Sequence, residues 1–232
     1  MFPVHVICNA TRLLYEDALE QHFRLRHRIF VDELGWSALR KPDGREVDQF
    51  DTKHSIYLLG IEPGCGVVAG TRLGPSLEAH LVSDVFPHAA AHRGVPRAPH
   101  IYDWTRMFVA PARRGERRPC RAAGTIKTAV LEYCLANGIR QVTGLGEPYW
   151  IPALSKLGWN PQPLGLPIDH EGKSIFAFTC DVTLEALQKT RSVFGFVEPV
   201  LVDRKPTAFA NAHRISPPSM RMQRRTHSTR DQ

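Results

Sequence analysis

Between residues 24 and 106, charged side chains recur inside apolar runs, and this pattern constrains the chain more than any other feature of it. The stretch opens with Arg24-Leu25-Arg26-His27-Arg28-Ile29-Phe30-Val31-Asp32-Glu33-Leu34-Gly35-Trp36. It continues through Gly44-Arg45-Glu46-Val47-Asp48-Gln49-Phe50-Asp51 and Gly70-Thr71-Arg72-Leu73, and closes with Tyr102-Asp103-Trp104-Thr105-Arg106-Met107-Phe108-Val109. Any compact packing sets Arg26, Asp48, Arg72 and Asp103 beside hydrophobic residues. A charge taken out of water needs an opposite charge, hydrogen bonds or a ligand to offset its desolvation. Four such charges in one stretch point to a site.

Taken in order, Val4 to Cys8 is a short apolar run that suits a first strand. Residues 12 to 34 carry apolar positions at helical spacing, including Leu14, Ala18, Phe23, Phe30 and Leu34, with Gly35 as the stop. Arg26 and Phe30, four residues apart, share a face of that helix, so a core-facing Phe30 draws Arg26 inward. From Ser37 to Thr52 no period persists, and Lys41-Pro42-Asp43-Gly44 marks a turn. Ser55 to Ile61 and Val67 to Leu73 read as strands of an antiparallel hairpin around Glu62-Pro63-Gly64-Cys65-Gly66. Residues 74 to 100 give only a brief signal, around Leu77 to Phe86. Ile101 to Val109 is a strand, followed by an arginine-rich loop at 113 to 118 and a helix from about Arg121 to Asn137 ended by Gly138. Further strands are expected at Ile139 to Leu145 and Ser174 to Val182, with short helices at Pro148 to Leu157 and from an N-cap at Thr183 to Phe194.

A chain of 232 residues, 43% hydrophobic and 23% charged, holds one α/β domain with a full core. The expected domain spans residues 1–204. Residues 205–232, rich in Pro, Ser, Arg and Gln, are expected to form a disordered basic tail. No apolar run approaches the length of about 18 residues that a membrane helix needs, and the N-terminus lacks the basic start and apolar run of a signal peptide. A cytoplasmic location is expected. Five cysteines, Cys8, Cys65, Cys120, Cys134 and Cys180, contain no C-x-x-C pair, which argues for reduced thiols rather than a disulfide framework or a zinc site.

The spaced set Arg26, Phe30, Trp36, Asp48, Asp51, Arg72, Phe86, Asp103 and Arg106 resembles the acyl-homoserine-lactone synthases, the LuxI-type autoinducer synthases, over roughly residues 12 to 180. One position departs from the pattern. Asp103 stands where the family usually has Glu, which shortens the carboxylate arm by one methylene. The resemblance implies a three-layer αβα sandwich on a mixed central sheet, similar to acetyltransferases. It also implies an enzyme that joins the amine of S-adenosylmethionine to an acyl thioester and closes the lactone with release of methylthioadenosine. No cofactor and no metal are implied.

On this reading the amine must be made neutral before it attacks, which requires a carboxylate able to take a proton. Asp103 and Asp48 are the candidates, with Arg26 grouped among the catalytic residues. Phe30, Trp36, Asp51, Arg72, Phe86 and Arg106 are expected around S-adenosylmethionine. Aromatic faces suit its sulfonium or adenine, while Arg26 and Arg106 suit its carboxylate. Strand amides around Met107 to Val109 are candidates to polarise the thioester carbonyl. Trp104, Met107, Thr143, Leu145 and Trp150 are expected to line the acyl pocket, Thr143 by its likeness to a family position linked to the acyl 3-substituent.

The net charge is +7, from 30 basic and 23 acidic residues, and much of the excess is local. Arg113, Arg114, Arg117 and Arg118, before the exposed amides of a helix N-terminus, suit the phosphates of an acyl carrier protein or acyl-coenzyme A. A solvated surface explains the same cluster equally well. Singly, loop aspartates commonly cap turns and tryptophans commonly fill cores; it is their ordered combination that favours a site. The alternatives are an acyl-CoA-dependent N-acetyltransferase, which has no need of Trp36 with Asp48 and Asp51, and a nucleic-acid-binding module. The second lacks interleaved exposed aromatics, so neither a nucleic acid nor a membrane is an expected partner.

Overall fold

In a computed structural model that describes residues 2–115 and 119–202, eight strands form a sheet in the order β1-β2-β3-β4-β5-β8-β6, with β7 paired to β8. The strands are β1 (Val4–Ile7), β2 (Ile56–Glu62), β3 (Gly66–Pro75), β4 (Ile101–Val109), β5 (Gln141–Gly146), β6 (Gln162–Pro163), β7 (Ile168–His170) and β8 (Lys173–Asp181). All pairings are antiparallel except β4 with β5. The helices are α1 (Glu16–Arg26), α2 (Leu81–Asp84), α3 (Arg121–Ala136), α4 (Trp150–Ser155) and α5 (Leu184–Phe194).

Strand alternation sends side chains to two cores. On one face Leu58, Leu73, Trp104, Val142, Phe178 and Cys180 pack under α3 and α5. On the other, Phe23, Phe30, Tyr57, Leu59 and Phe108 join α1 to the β1-to-β4 half of the sheet. A smaller cluster of Val82, Phe86, Ala89, Leu164 and Ala177 packs α2 and its loop over the rest. The expected single α/β domain with a mixed sheet is what forms. Among the described residues no helix is long and apolar enough to cross a membrane. The tail expected beyond residue 204 lies outside the described residues.

Local signals account for both ends of α5. The Thr183 hydroxyl accepts the Ala186 amide at 3.0 Å and caps α5, and Gly195 ends that helix at φ 68°. The helix expected over residues 12 to 34 instead begins as a 3-10 turn at Arg12–Tyr15, runs as α1, and continues as a π-helical stretch over His27–Glu33. Such widened turns re-aim side chains and often stand beside functional sites. Here the widened turn carries Phe30, whose carbonyl accepts the Trp36 amide at 3.0 Å.

Two irregularities shape the middle of the sheet. First, β4 and β5 pair only from Ile101 to Asp103 against Gln141 to Thr143, so the sheet opens beyond Asp103 and Thr143. Second, β4 carries one extra residue against β3 between Thr105 and Phe108, and Arg106 sits there at φ 53°. A bulge places two successive side chains on one face. Thr105 and Arg106 both turn toward the α1 side, where Thr105 meets Arg72 and Arg106 meets Glu46. A non-glycine residue rarely adopts a positive φ unless its surroundings hold it there.

Candidate active site

Six charged side chains from four segments meet between α1 and the sheet. Arg26, at the end of α1 and 0% exposed, donates from Nε to Glu46 at 2.5 Å and from Nη1 and Nη2 to Asp51 at 2.8 and 2.9 Å. Arg72, on β3, forms the same kind of fork with Asp48 at 2.5 and 3.1 Å and gives its Nε to the Thr105 hydroxyl. Arg106, at the bulge, donates to both Glu46 oxygens at 3.1 and 3.2 Å and to Asp48 at 2.8 Å. Three guanidiniums thus balance three carboxylates, and paired forks of this kind are among the stronger polar contacts in a protein.

The loop that carries the carboxylates is held by the same atoms. Asp51 accepts the Asp48 amide at 2.8 Å and the Tyr57 hydroxyl at 2.9 Å, and Asp48 accepts the Phe50 amide at 2.9 Å. Burial by itself pushes the Asp51 carboxyl up, but Arg26 and Arg72 override it and hold it far below the ordinary carboxylate range. Glu46 follows the same logic: burial raises it, while Arg106 and Arg26 bring it below its usual value. Burial works against the charged form of Arg26, and Asp51 with Glu46 more than compensates.

Aromatic rings close one end of this network. Phe30 and Trp36 stack at 4.9 Å and 18°, and the Arg106 guanidinium lies 5.7 Å from the first ring and 5.5 Å from the second. Trp36 stays half-exposed, leaving an aromatic surface beside the network.

Asp103 is chemically different from the other acids. It is 4% exposed, at the last paired position before β4 and β5 part, and it accepts the Thr143 hydroxyl at 3.1 Å and the Leu81 amide. Among the described residues no arginine forks onto it. Desolvation dominates and raises its carboxyl above the usual value, against the opposing pull of His80, Arg72 and these hydrogen bonds. A buried carboxylate with a raised pKa where two strands part suits a proton acceptor.

The structure therefore brings together Arg26, Phe30, Trp36, Asp48, Asp51, Arg72 and Arg106, with Asp103 and Thr143 beyond Arg72. Arg26 is sealed from solvent with every nitrogen engaged by Glu46 and Asp51, so none is turned toward a substrate carboxylate. Asp48 is gripped by Arg72 and Arg106, whereas among the described residues no arginine forks onto Asp103. Phe86 lies apart from the Phe30-Trp36 stack, in the α2 cluster, edge-on to His170 at 4.9 Å.

The five residues expected to line one acyl pocket fall on two faces. Trp104, Met107 and Trp150 belong to the α3 side, where Trp104 stacks on Trp159 at 5.1 Å and meets Trp150 edge-on at 5.5 Å. Thr143 and Leu145 face the other way, toward Asp103 and the α2 cluster. They border the opening between β4 and β5 from opposite sides of the sheet. On β5, a Cβ added to Gly146 would come within 2.8 Å of the Trp150 ring, so only glycine lets that indole lie against the strand.

Arg113 and Arg114, expected to dock phosphate, make ion pairs with Glu62 at 2.5 Å and Glu33 at 2.7 Å, and Arg114 also donates to the Val109 carbonyl. Arg117 and Arg118 lie outside the described residues. Three contributors escaped sequence reasoning. Glu46 joins Arg26 to Arg106, and its one sequence signal is its place two residues before Asp48. His80 stands 3.8 Å from Asp103. Lys127, on α3, sets its ammonium 5.1 Å over the Trp150 ring, and burial lowers its pKa to about 8.

Comparison with known proteins gives the chain's family. Residues 10–190 match the autoinducer synthase family. The chain is 43% identical over 200 residues to an isovaleryl-homoserine lactone synthase of Bradyrhizobium diazoefficiens, covering 86% of this chain and 89% of the relative. It is 31% identical to an acyl-homoserine-lactone synthase of Pseudomonas fluorescens, over 78% of this chain and 88% of that one. A solved CoA-dependent acyl-homoserine lactone synthase, BjaI, holding SAM and isopentyl-CoA, superposes with a TM-score of 0.83 at 41% identity, covering 90% of this chain and 97% of that one. The CoA-dependent synthase MesI superposes with a TM-score of 0.79 at 38% identity, over 87% of this chain and all of that one. The chain belongs to the autoinducer synthase family, as an acyltransferase of the acyl-homoserine-lactone synthase class.

Proposed function

We propose that this enzyme takes acyl-coenzyme A as its donor, with a short acyl group, and that Asp103 removes the proton from the amine of S-adenosylmethionine. The observation that carries this reading is the opening between β4 and β5, with Asp103 at its closed end and the Trp104, Trp150 and Trp159 rings packed behind it. Three indoles leave little room for a long chain. The Bradyrhizobium relative and the BjaI complex support the same donor chemistry, a short branched acyl group carried on coenzyme A.

S-adenosylmethionine then sits against the Phe30-Trp36 stack, its sulfonium attracted to the ring faces. Arg106 and the carboxylates Asp48 and Asp51 set the edge of its pocket, and Arg26 with Glu46 fixes that edge from behind. The amine attacks the thioester carbon, coenzyme A leaves, and the methionine carboxylate displaces methylthioadenosine to close the lactone. The uncapped amides at the start of α3 are the phosphate seat, with Lys127 near the pantetheine arm. No cofactor or metal takes part, and residues 1–204 are read as the catalytic unit.

Purified protein incubated with S-adenosylmethionine and isovaleryl-CoA should release methylthioadenosine and a matching lactone, both read by mass spectrometry. Release with the isovaleryl carrier-protein thioester alone would overturn the donor assignment. No release with either donor would overturn the activity.

A further inference from the structure

We propose that His80 works with Asp103 as a positioning and proton-accepting group, taking from it the first of the two protons that leave the substrate nitrogen. The inference rests on the reading of Asp103 as the base. His80 immediately precedes α2 in extended backbone, is 2% exposed, and neither ring nitrogen has a hydrogen-bond partner among the described residues. Its Nδ1 lies 3.8 Å from Asp103 Oδ1. A buried imidazole left with both nitrogens unsatisfied costs stability, so its presence beside a buried acid without an arginine fork calls for a functional account.

The chemistry supplies that account. An ammonium that becomes an amide gives up two protons, while Asp103 can hold one. In the first step an ammonium N–H bond breaks and the proton goes to the Asp103 carboxylate; the freed lone pair forms the bond to the thioester carbon. The protonated carboxyl then closes from 3.8 Å to hydrogen-bonding distance of His80 Nδ1, passes its proton there and becomes a carboxylate again. In the second step Asp103 takes the remaining surplus proton from the nitrogen of the tetrahedral adduct, the C–S bond breaks, and the departing thiolate receives that proton. His80 later releases its own proton to solvent. Two protons leave nitrogen, one ends on sulfur and one in water.

The surroundings of the ring allow this cycle. Burial and Arg97 favour loss of the imidazolium proton, whereas Asp103 and Asp84 favour its retention, and burial prevails, holding the ring below its ordinary pKa and toward the neutral form. Arg97 is itself tied to the Leu77 carbonyl at 2.7 Å, and the Ser83 hydroxyl anchors the His80 carbonyl at 3.1 Å.

The test compares His80→Gln and His80→Ala with the wild type, following methylthioadenosine release with isovaleryl-CoA as donor. His80→Gln should lower kcat by about a hundredfold, the lower end of the range of general acid-base contributions, with the KM for S-adenosylmethionine changed by less than about twofold. The acidic limb of its log kcat/KM profile should fall with a slope of about one, where the wild type approaches about two, because the pair takes up two protons and Asp103 alone takes one. Added imidazole should recover several-fold activity in His80→Ala. Wild-type kcat and pH profile in His80→Gln would overturn the proposal. So would a loss in His80→Ala that tracks a lowered melting temperature and is not recovered by imidazole. Full activity in Asp103→Asn would instead remove the base assignment on which the proposal stands.

Discussion

Asp103 and Lys127 share a physical condition: burial opposes the charged form of each, and no close ion pair offsets it among the described residues. Residues held at such a cost mark sites where chemistry outweighs stability. For Asp103 the folded pKa lies above the unfolded one. Stability therefore falls as pH rises through that window and stays lower at neutral pH. Asp103→Asn should cut turnover by about two to four orders of magnitude, the range for a lost general base, while melting no lower than the wild type at pH 7. Wild-type turnover or a sharply lowered melting temperature would contradict this. Lys127 is the opposite case, with a folded pKa of about 8 below its ordinary value of 10.5. Below the lower value the full cost of burying the cation is present, and it is relieved as pH rises toward the upper one. Lys127→Met should thus raise the melting temperature at pH 7, by roughly 2–4 °C for each kcal/mol regained, with a smaller gain at pH 9.5. It should also raise the Michaelis constant for the acyl-CoA donor. A pH-independent change in melting would contradict the linkage.

At the scale of elements, what was legible in the sequence obeyed local rules. The β2-β3 hairpin follows from its Pro-Gly turn, strand β4 from six β-branched or aromatic residues among its nine positions, and α5 from Thr183 and Gly195. The charged residues of the site were also legible, because Arg26, Arg72 and Asp103 could not stand alone inside apolar runs. Their roles were less so, since a role depends on which partner the fold delivers. Arg26 and Arg106 looked equally suited to a substrate carboxylate, yet one is sealed behind Glu46 and Asp51 and the other meets the aromatic stack. The faces of the acyl residues were hidden for a different reason. Trp104 and Thr143 come from adjacent parallel strands with opposite parity, and the bulge at Arg106 resets the alternation for Met107 and Phe108. His80 and Lys127 gave no signal, because a lone histidine or lysine means nothing until its neighbours are known. The strand opening itself makes a prediction. Trp150 packs edge-on to Trp104 beside Gly146, so Trp150→Ala should remove the floor of the opening on the α3 side. The variant should accept straight-chain donors several carbons longer, with kcat/KM for isovaleryl-CoA lowered about tenfold, as expected for lost apolar contacts of about 1–3 kcal/mol. An unchanged chain-length profile across a donor series would place the acyl group elsewhere.

Over the whole molecule, the six-membered charge network joins α1, the loop after it, β3 and β4 into one body, and so ties the site to global stability. It is neutral in sum, within a chain of net charge +7, so acid acts on it twice. Falling pH adds to the general positive charge, and it protonates the carboxylates that hold the arginines. Glu46 and Asp51 have folded pKa values below their ordinary ones. The stability they contribute is present above the unfolded carboxylate value and is lost as pH falls through that value toward the depressed one. Removing one partner exposes the same balance at neutral pH. Arg26→Met leaves Asp51 with Arg72 and Glu46 with Arg106, and it strands buried negative charge that no water reaches. Breaking a buried pair in this way costs about 3–5 kcal/mol. The loss should appear as a lower urea midpoint at pH 7, accompanied by loss of S-adenosylmethionine binding as the loop of Asp48 and Asp51 loosens. At about pH 4, near the ordinary carboxylate range, the stranded acids of the variant take up protons while those of the wild type begin to lose their advantage. The gap between the two urea midpoints should therefore narrow. A gap that stays constant from pH 7 to pH 4 would mean that pairing with Glu46 and Asp51 is not how Arg26 stabilises the fold.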